Sequence, residues 1–151
     1  MQPDTEGRGI PSPLILIVDD SGPLRSALRA LISGAIVPCI CVEAATGERA
    51  VAVAEATRPA VVVMDLKMPG MSGIEATRKI KAMLPHTQVV IVSMFEAAKF
   101  QTEAIGAGAT AYLPKRVLHR ELIPLLTSLL EVNGGECPMP VAERQACGDD
   151  A

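Results

Sequence analysis

The chain has 151 residues, 49% of them hydrophobic, with 14 basic and 17 acidic side chains and a net charge of −3. That length supplies one domain whose core needs no disulfide or metal staple, and the charge balance argues against electrostatic capture of nucleic acid. No apolar run approaches the roughly 20 residues of a bilayer span, and the N-terminus lacks the apolar stretch of a secretory signal, so a cytoplasmic domain without membrane contact is expected.

Residues 1–12 are polar and rich in Gly and Pro and read as a flexible leader. From 13 to 132, short aliphatic runs alternate five times with helix-period stretches. The strand candidates are Leu14–Val18, Pro38–Val42, Ala60–Met64, Val89–Val92 and Ala109–Leu113, and their continuous aliphatic character suits strands covered on both faces. Leu24, Ala27, Leu28, Leu31 and Ile32 make the apolar stripe of the first helix, and Leu118, Leu122, Leu125, Leu126 and Leu129 that of the last. Thr46 and Ser72 stand where helix caps belong, Ser72 with Glu75 as a capping box. Pro124 removes one backbone bond from the last helix and predicts a bend there. Five βα units predict a doubly wound α/β domain, a five-stranded parallel sheet of flavodoxin-like order 2-1-3-4-5. Residues 133–151 carry four acids against one Arg and read as a flexible acidic tail.

Cys39 and Cys41 flank Ile40 and so share one strand face. They read as buried small hydrophobes, with a metal or redox role as the alternative. Cys137 and Cys147, in the tail, fall short of the four ligands of a zinc site.

In open α/β sheets ligands sit beyond the carboxyl ends of the strands, where the strand order reverses. Asp19 and Asp20 follow the first strand, Asp65 the third, Ser93 the fourth and Lys115 the fifth. The predicted order makes the first and third strands neighbours, which gathers Asp19, Asp20 and Asp65. Two such charges about 5 Å apart repel by about 3 kcal/mol at an effective dielectric of about 20. Lys115 offsets one charge, and an oxygen-only ligand set with charge to spare suits Mg²⁺. Asp65, a carboxylate beside a metal and a Lys, is placed to attack phosphorus, with the Ser93 hydroxyl ready to donate to a phosphoryl oxygen.

The stretches Ile15-Leu-Ile-Val-Asp-Asp20, Val63-Met-Asp65-Leu-Lys-Met-Pro-Gly-Met-Ser-Gly73, Ile91-Val-Ser93 and Gly108-Ala-Thr-Ala-Tyr-Leu-Pro-Lys115 resemble the CheY-like receiver domain of two-component response regulators. The likeness is strongest to receivers of the NarL/LuxR type and covers about 13–132. It implies that Asp65 accepts a phosphoryl group from a sensor histidine kinase or phosphotransfer protein. It implies further that Asp19, Asp20, Asp65 and the backbone carbonyl of Lys67 hold Mg²⁺, that Lys115 pairs with the phosphoryl group, and that Ser93 and Tyr112 are the switch pair. The downstream protein target is expected on the face of the fourth helix, fifth strand and fifth helix, between which Phe95, Phe100 and Tyr112 are concentrated. Met94 and Phe95, next to Ser93, are placed to crowd the pocket.

The 19 residues after 132 are too few and too polar for a LuxR-type helix-turn-helix, so a stand-alone receiver without direct DNA binding is expected, a signalling protein rather than an enzyme. A phosphorylation-independent scaffold and a small Mg²⁺-dependent phosphatase using Asp65 are the alternatives.

Overall fold

The computed structural model describes residues 12–95 and 98–135, with side chains to 131. The leader up to residue 11 and the tail beyond 135, with Cys137 and Cys147, lie outside the described residues.

Five strands alternate with five helices: β1 (Leu14–Val18), α1 (Gly22–Ala35), β2 (Ile40–Ala44), α2 (Gly47–Thr57), β3 (Val61–Asp65), α3 (Gly73–Met83), β4 (Gln88–Ser93), α4 (Ala98–Gly106), β5 (Ala111–Pro114) and α5 (Leu118–Gly135), with a single 3₁₀ turn, Lys115–Val117, before α5. All strand pairs are parallel and the sheet order is β2-β1-β3-β4-β5. The expected fold is therefore the observed one.

Strand alternation divides the core in two. Leu16, Val18, Val62, Met64, Val89 and Ile91 pack with Ala50 and Ala54 of α2, Ala76 and Ile80 of α3 and Ala104 of α4. Ile15, Ile17, Val61, Val63, Val90 and Val92 point the other way, onto Leu28 and Ile32 of α1 and Leu122 and Leu126 of α5. With so few aromatics, density comes from interdigitated aliphatics, and small residues let α2 approach closely. A Cβ at Gly47 would stand 2.8 Å from the Met71 carbonyl oxygen.

The caps fall where expected. Thr46 accepts from the Arg49 amide (3.0 Å) and Ser72 from the Glu75 amide (3.1 Å), each satisfying one orphan donor of a first turn. α4 ends at Gly106, and Gly108 adopts φ +109°, a helix stop that favours glycine.

Several expectations need correction. β3 runs Val61–Asp65 rather than Ala60–Met64 and β4 Gln88–Ser93 rather than Val89–Val92, so Asp65 and Ser93 are the last residues of their strands. β2 begins at Ile40 and runs through Glu43 to Ala44, not Pro38–Val42, because Ile40 N–H is the first to pair, with the Pro13 carbonyl (2.9 Å). β5 begins at Ala111, because the Ala109 amide still bonds back to Ala104 at the end of α4. Ala27 is exposed, so the α1 stripe narrows to Leu24, Leu28, Leu31 and Ile32. Pro124 sits inside α5, which continues to Gly135, three residues into the segment read as tail. Its position on the exposed side leaves water to satisfy the carbonyl it orphans.

Candidate functional site

Register decides which side chains meet at the carboxyl end of the sheet. Val18 of β1 stands opposite Met64 of β3, so the next residues along, Asp19 and Asp65, emerge side by side. Asp65 in turn pairs with Val92, and Ser93 with Pro114, so Ser93 and Lys115 close the row. Carboxylate oxygens of Asp19, Asp20 and Asp65 all lie within 4.8 Å of one another. Asp19 and Asp65 are only 1% and 5% exposed, while Asp20 is exposed.

Each buried charge is held by fixed partners. Asp19 Oδ1 accepts from the Ser21 amide (2.8 Å) and Oδ2 from Lys115 Nζ (3.1 Å). Lys115 Nζ also lies 3.1 Å from Asp65 Oδ1, so one ammonium bridges two carboxylates. Pro114 ends β5 and the 3₁₀ turn opens with Lys115, which brings its long side chain back over the strand ends. Burial, the largest effect, pushes the Asp65 carboxyl up to about 6, because the pull of Lys115 falls short of compensating for it and the charges of Asp19 and Asp20 add to the rise. Burial alone would lower the Lys115 ammonium, but its hydrogen bonds and charge contacts with Asp65 and Asp19 outweigh it and hold the proton more tightly.

These residues fit a hard divalent cation. The donors are all carboxylate oxygens, and three formal negative charges face one positive. Burial raises the Asp65 carboxyl most, and the charges of Asp19 and Asp20 add to the rise; a divalent ion would relieve that second part.

The loop after β3 folds tightly onto the site. Gly73 N–H donates to the Leu66 carbonyl (2.8 Å), and a Cβ at Gly73 would lie 2.1 Å from the Asp65 carbonyl oxygen. Only glycine lets α3 start that close to the acidic cluster. Within this loop Lys67 is exposed, with its ammonium 5.2 Å from the Phe95 ring centroid and 5.6 Å from that of Phe100. Both distances are within cation–π range.

Ser93 and Tyr112 converge on one residue, Phe95. The Phe95 amide donates to Ser93 Oγ (2.8 Å), and the Tyr112 hydroxyl donates to the Phe95 carbonyl. Met94 and Phe95, beside Ser93, are 74% and 45% exposed. Phe100 and Tyr112 pack partly buried against the α2–α4 core.

Sequence reading missed the support beneath Asp19. Arg25 on α1 donates to the Asp19 carbonyl (2.7 Å) and to Glu43 Oε1 (3.0 Å), while Arg29 takes Glu43 Oε2 (2.9 Å). The signal was a charged Glu43 ending an apolar run, opposite two arginines one helical turn apart.

Comparison with known proteins follows the same outline. The family model of the response regulator receiver domain matches residues 15–127. The uncharacterized transcriptional regulatory protein YxjL of Bacillus subtilis is 38% identical over 109 residues, 72% of this chain and 50% of that protein. Among solved structures, a LuxR-family two-component response regulator from Aurantimonas sp. SI85-9A1 has a TM-score of 0.74 at 31% identity, covering 93% of this chain and 98% of that one. The chemotaxis protein CheY4 of Vibrio cholerae has a TM-score of 0.73 at 25% identity, over 79% and 99%. The chain spans about half the length of the sequence relatives it matches. Among the described residues no helix is long and apolar enough to cross a membrane. With the family match reaching all five strands and every strand-end residue of the acidic cluster, the chain belongs to the response regulator receiver domains of two-component systems.

Proposed function

We propose that Asp65 is the phosphoryl acceptor and that the chain is a switch read by protein contact. The observation that carries this reading is Asp65 itself: a carboxylate 5% exposed, 3.1 Å from Lys115 and within 4.8 Å of Asp19 and Asp20. The donor is a phosphohistidine on a sensor kinase or phosphotransfer protein, which places the chain in the cytoplasm. An Asp65 oxygen attacks phosphorus, the phosphorus–nitrogen bond breaks, and the imidazole leaves with the electron pair and takes up a proton. Asp19, Asp20, Asp65 and the Lys67 backbone carbonyl would hold Mg²⁺, which when bound draws off negative charge from the phosphoryl oxygens. Lys115, already bridging Asp19 and Asp65, moves one bond outward to pair with the new phosphoryl group.

Ser93 carries the change onward. Its hydroxyl accepts from the Phe95 amide and still has its own proton to give. Turning to donate that proton to a phosphoryl oxygen loosens the Phe95 peptide, whose carbonyl holds the Tyr112 hydroxyl. The loop after β4 and the side chain of Tyr112 then move together, altering the α4–β5–α5 face that the downstream partner reads.

The test is intact mass after incubation with Mg²⁺ and a small phosphodonor, wild type against Asp65→Asn. One phosphoryl group on wild type and none on the variant is the expected result. If neither chain gains one even with a phosphorylated histidine kinase as donor, the constitutive scaffold replaces the switch.

A further inference from the structure

Away from the acidic cluster, the entry to β2 sets two thiols side by side. Cys39 and Cys41 flank Ile40, which is half exposed on the opposite side of the strand, so alternation turns both sulfurs toward α1. Cys41 is buried in the α1/α5 core and Cys39 packs partly buried at its margin. Both are free, and their Sγ atoms are 4.0 Å apart.

The hydrogen bonds around them have a direction. Ser33 Oγ has one proton and gives it to the Arg29 carbonyl (2.7 Å). Its 3.6 Å contact with Cys41 Sγ therefore has the thiol as donor, and the Cys39 thiol in turn donates to Cys41 Sγ. Donation runs inward from Cys39 to Cys41 to Ser33. The lone pairs of Cys39 are left at the margin of the core, where a ligand can reach them. Burial first, and Cys41 second, push the Cys39 thiol up, so a ligand must displace its proton.

The separation selects the ligand. With metal–sulfur bonds of about 2.3 Å, two thiolates on one cation stand at most about 4.6 Å apart, in the linear arrangement, so the pair at 4.0 Å is within about 0.6 Å of that span. A tetrahedral zinc site needs four ligands, and the two thiols have beside them one neutral hydroxyl, Ser33 Oγ, 3.6 Å from Cys41 Sγ, a weak ligand that would still leave the set one short. Soft monovalent cations are content with two thiolates and prefer sulfur to oxygen. The resulting complex is anionic.

We propose that Cys39 and Cys41 form a two-thiolate site for a soft monovalent cation of the copper(I) class, entered through Cys39. Binding breaks two sulfur–hydrogen bonds, forms two sulfur–copper bonds and releases two protons to water, with no change of oxidation state. The site is independent of the acceptor chemistry at the opposite end of the sheet.

The experiment uses the full chain with Cys137→Ser and Cys147→Ser as reference, so that the pair alone supplies thiols. Under anaerobic reducing conditions the reference competes for Cu(I) with a colorimetric copper(I) chelator. One ion per chain is expected, with X-ray absorption reading two sulfur neighbours at the copper. Adding Cys39→Ser or Cys41→Ser should weaken binding by at least about 100-fold, since loss of even an outer-shell partner costs about 10–100-fold. Equal competition by the reference and a chain lacking all four cysteines overturns the proposal. So does a stoichiometry of one ion per two chains, or a single sulfur neighbour. The absorption measurement needs no substitution at the pair, so a variant that fails to fold leaves the question decidable.

Discussion

Asp65 is a carboxylate that burial works against, and its titration exposes the fact. An ordinary Asp loses its proton near 3.8, whereas burial, with the nearby carboxylates, raises Asp65 to about 6 despite Lys115. The folded chain without metal therefore holds this proton more tightly than the unfolded chain. The group's contribution to stability is fully present below about pH 4 and is lost as pH rises through about 6, a change of about 3 kcal/mol. In chelator, the urea midpoint of wild type should fall between pH 5 and pH 7 relative to that of Asp65→Asn, whose amide does not titrate. Parallel pH profiles for the two chains would show that Asp65 ionises as an ordinary surface carboxylate. Mg²⁺ should reverse the trend, raising the wild-type midpoint more at pH 8 than at pH 5, because proton and cation compete for the same oxygens. Residue type and strand-end position were enough to nominate Asp19, Asp20, Asp65 and Lys115. The degree of burial was not legible, since it depends on how Gly73 and the 3₁₀ turn at Lys115 close over the cluster.

Two glycines separate helix propensity from packing at the level of the element. Gly34 lies in α1 with nothing within 4 Å of where a Cβ would stand, and a Cβ at Gly73 meets the Asp65 carbonyl oxygen at 2.1 Å. Gly34→Ala should stabilise the chain by about 0.5–1 kcal/mol through helix propensity alone. Gly73→Ala should destabilise it by about 1–3 kcal/mol, because the start of α3 must back away from β3. Denaturant melts of the two variants read opposite signs, and a neutral Gly73→Ala would mean that the loop after Asp65 yields freely. Element identity was readable from hydropathy period and caps, and Thr46 and Ser72 sit where those signals put them. Boundaries were not. Glu43 ends the apolar run Pro38–Val42 in the sequence, yet it lies inside β2 because Arg25 and Arg29 hold its carboxylate at the sheet edge. A charge that would close an isolated strand is retained when a neighbouring helix supplies its counter-ions.

Across the whole molecule, the crossover that seats β1 between β2 and β3 brings residues 19, 65 and 115 together, and the βα alternation predicts that order. What period and motif could not convey is that Ser93 and Tyr112 never need to touch: each bonds to a different end of the Phe95 residue, one through its amide and the other through its carbonyl. On the proposed function, Phe95 would be the joint through which the acceptor end of the sheet reaches the α4–β5–α5 face. Cutting either bond separates acceptance from transmission. Ser93→Ala should leave the Phe95 amide without its acceptor and speed its hydrogen exchange by about 5–10-fold in the unphosphorylated chain, the loss of one bond worth about 1 kcal/mol. Tyr112→Phe should take up the phosphoryl group at Asp65 as fully as wild type by intact mass. Its amide resonances in β5 and early α5 should nonetheless shift far less on phosphorylation than those of wild type, while the Phe95 amide still moves. Wild-type-sized shifts through β5 in Tyr112→Phe would mean that the signal leaves the acceptor by another route, and Phe95 would lose its place as the joint.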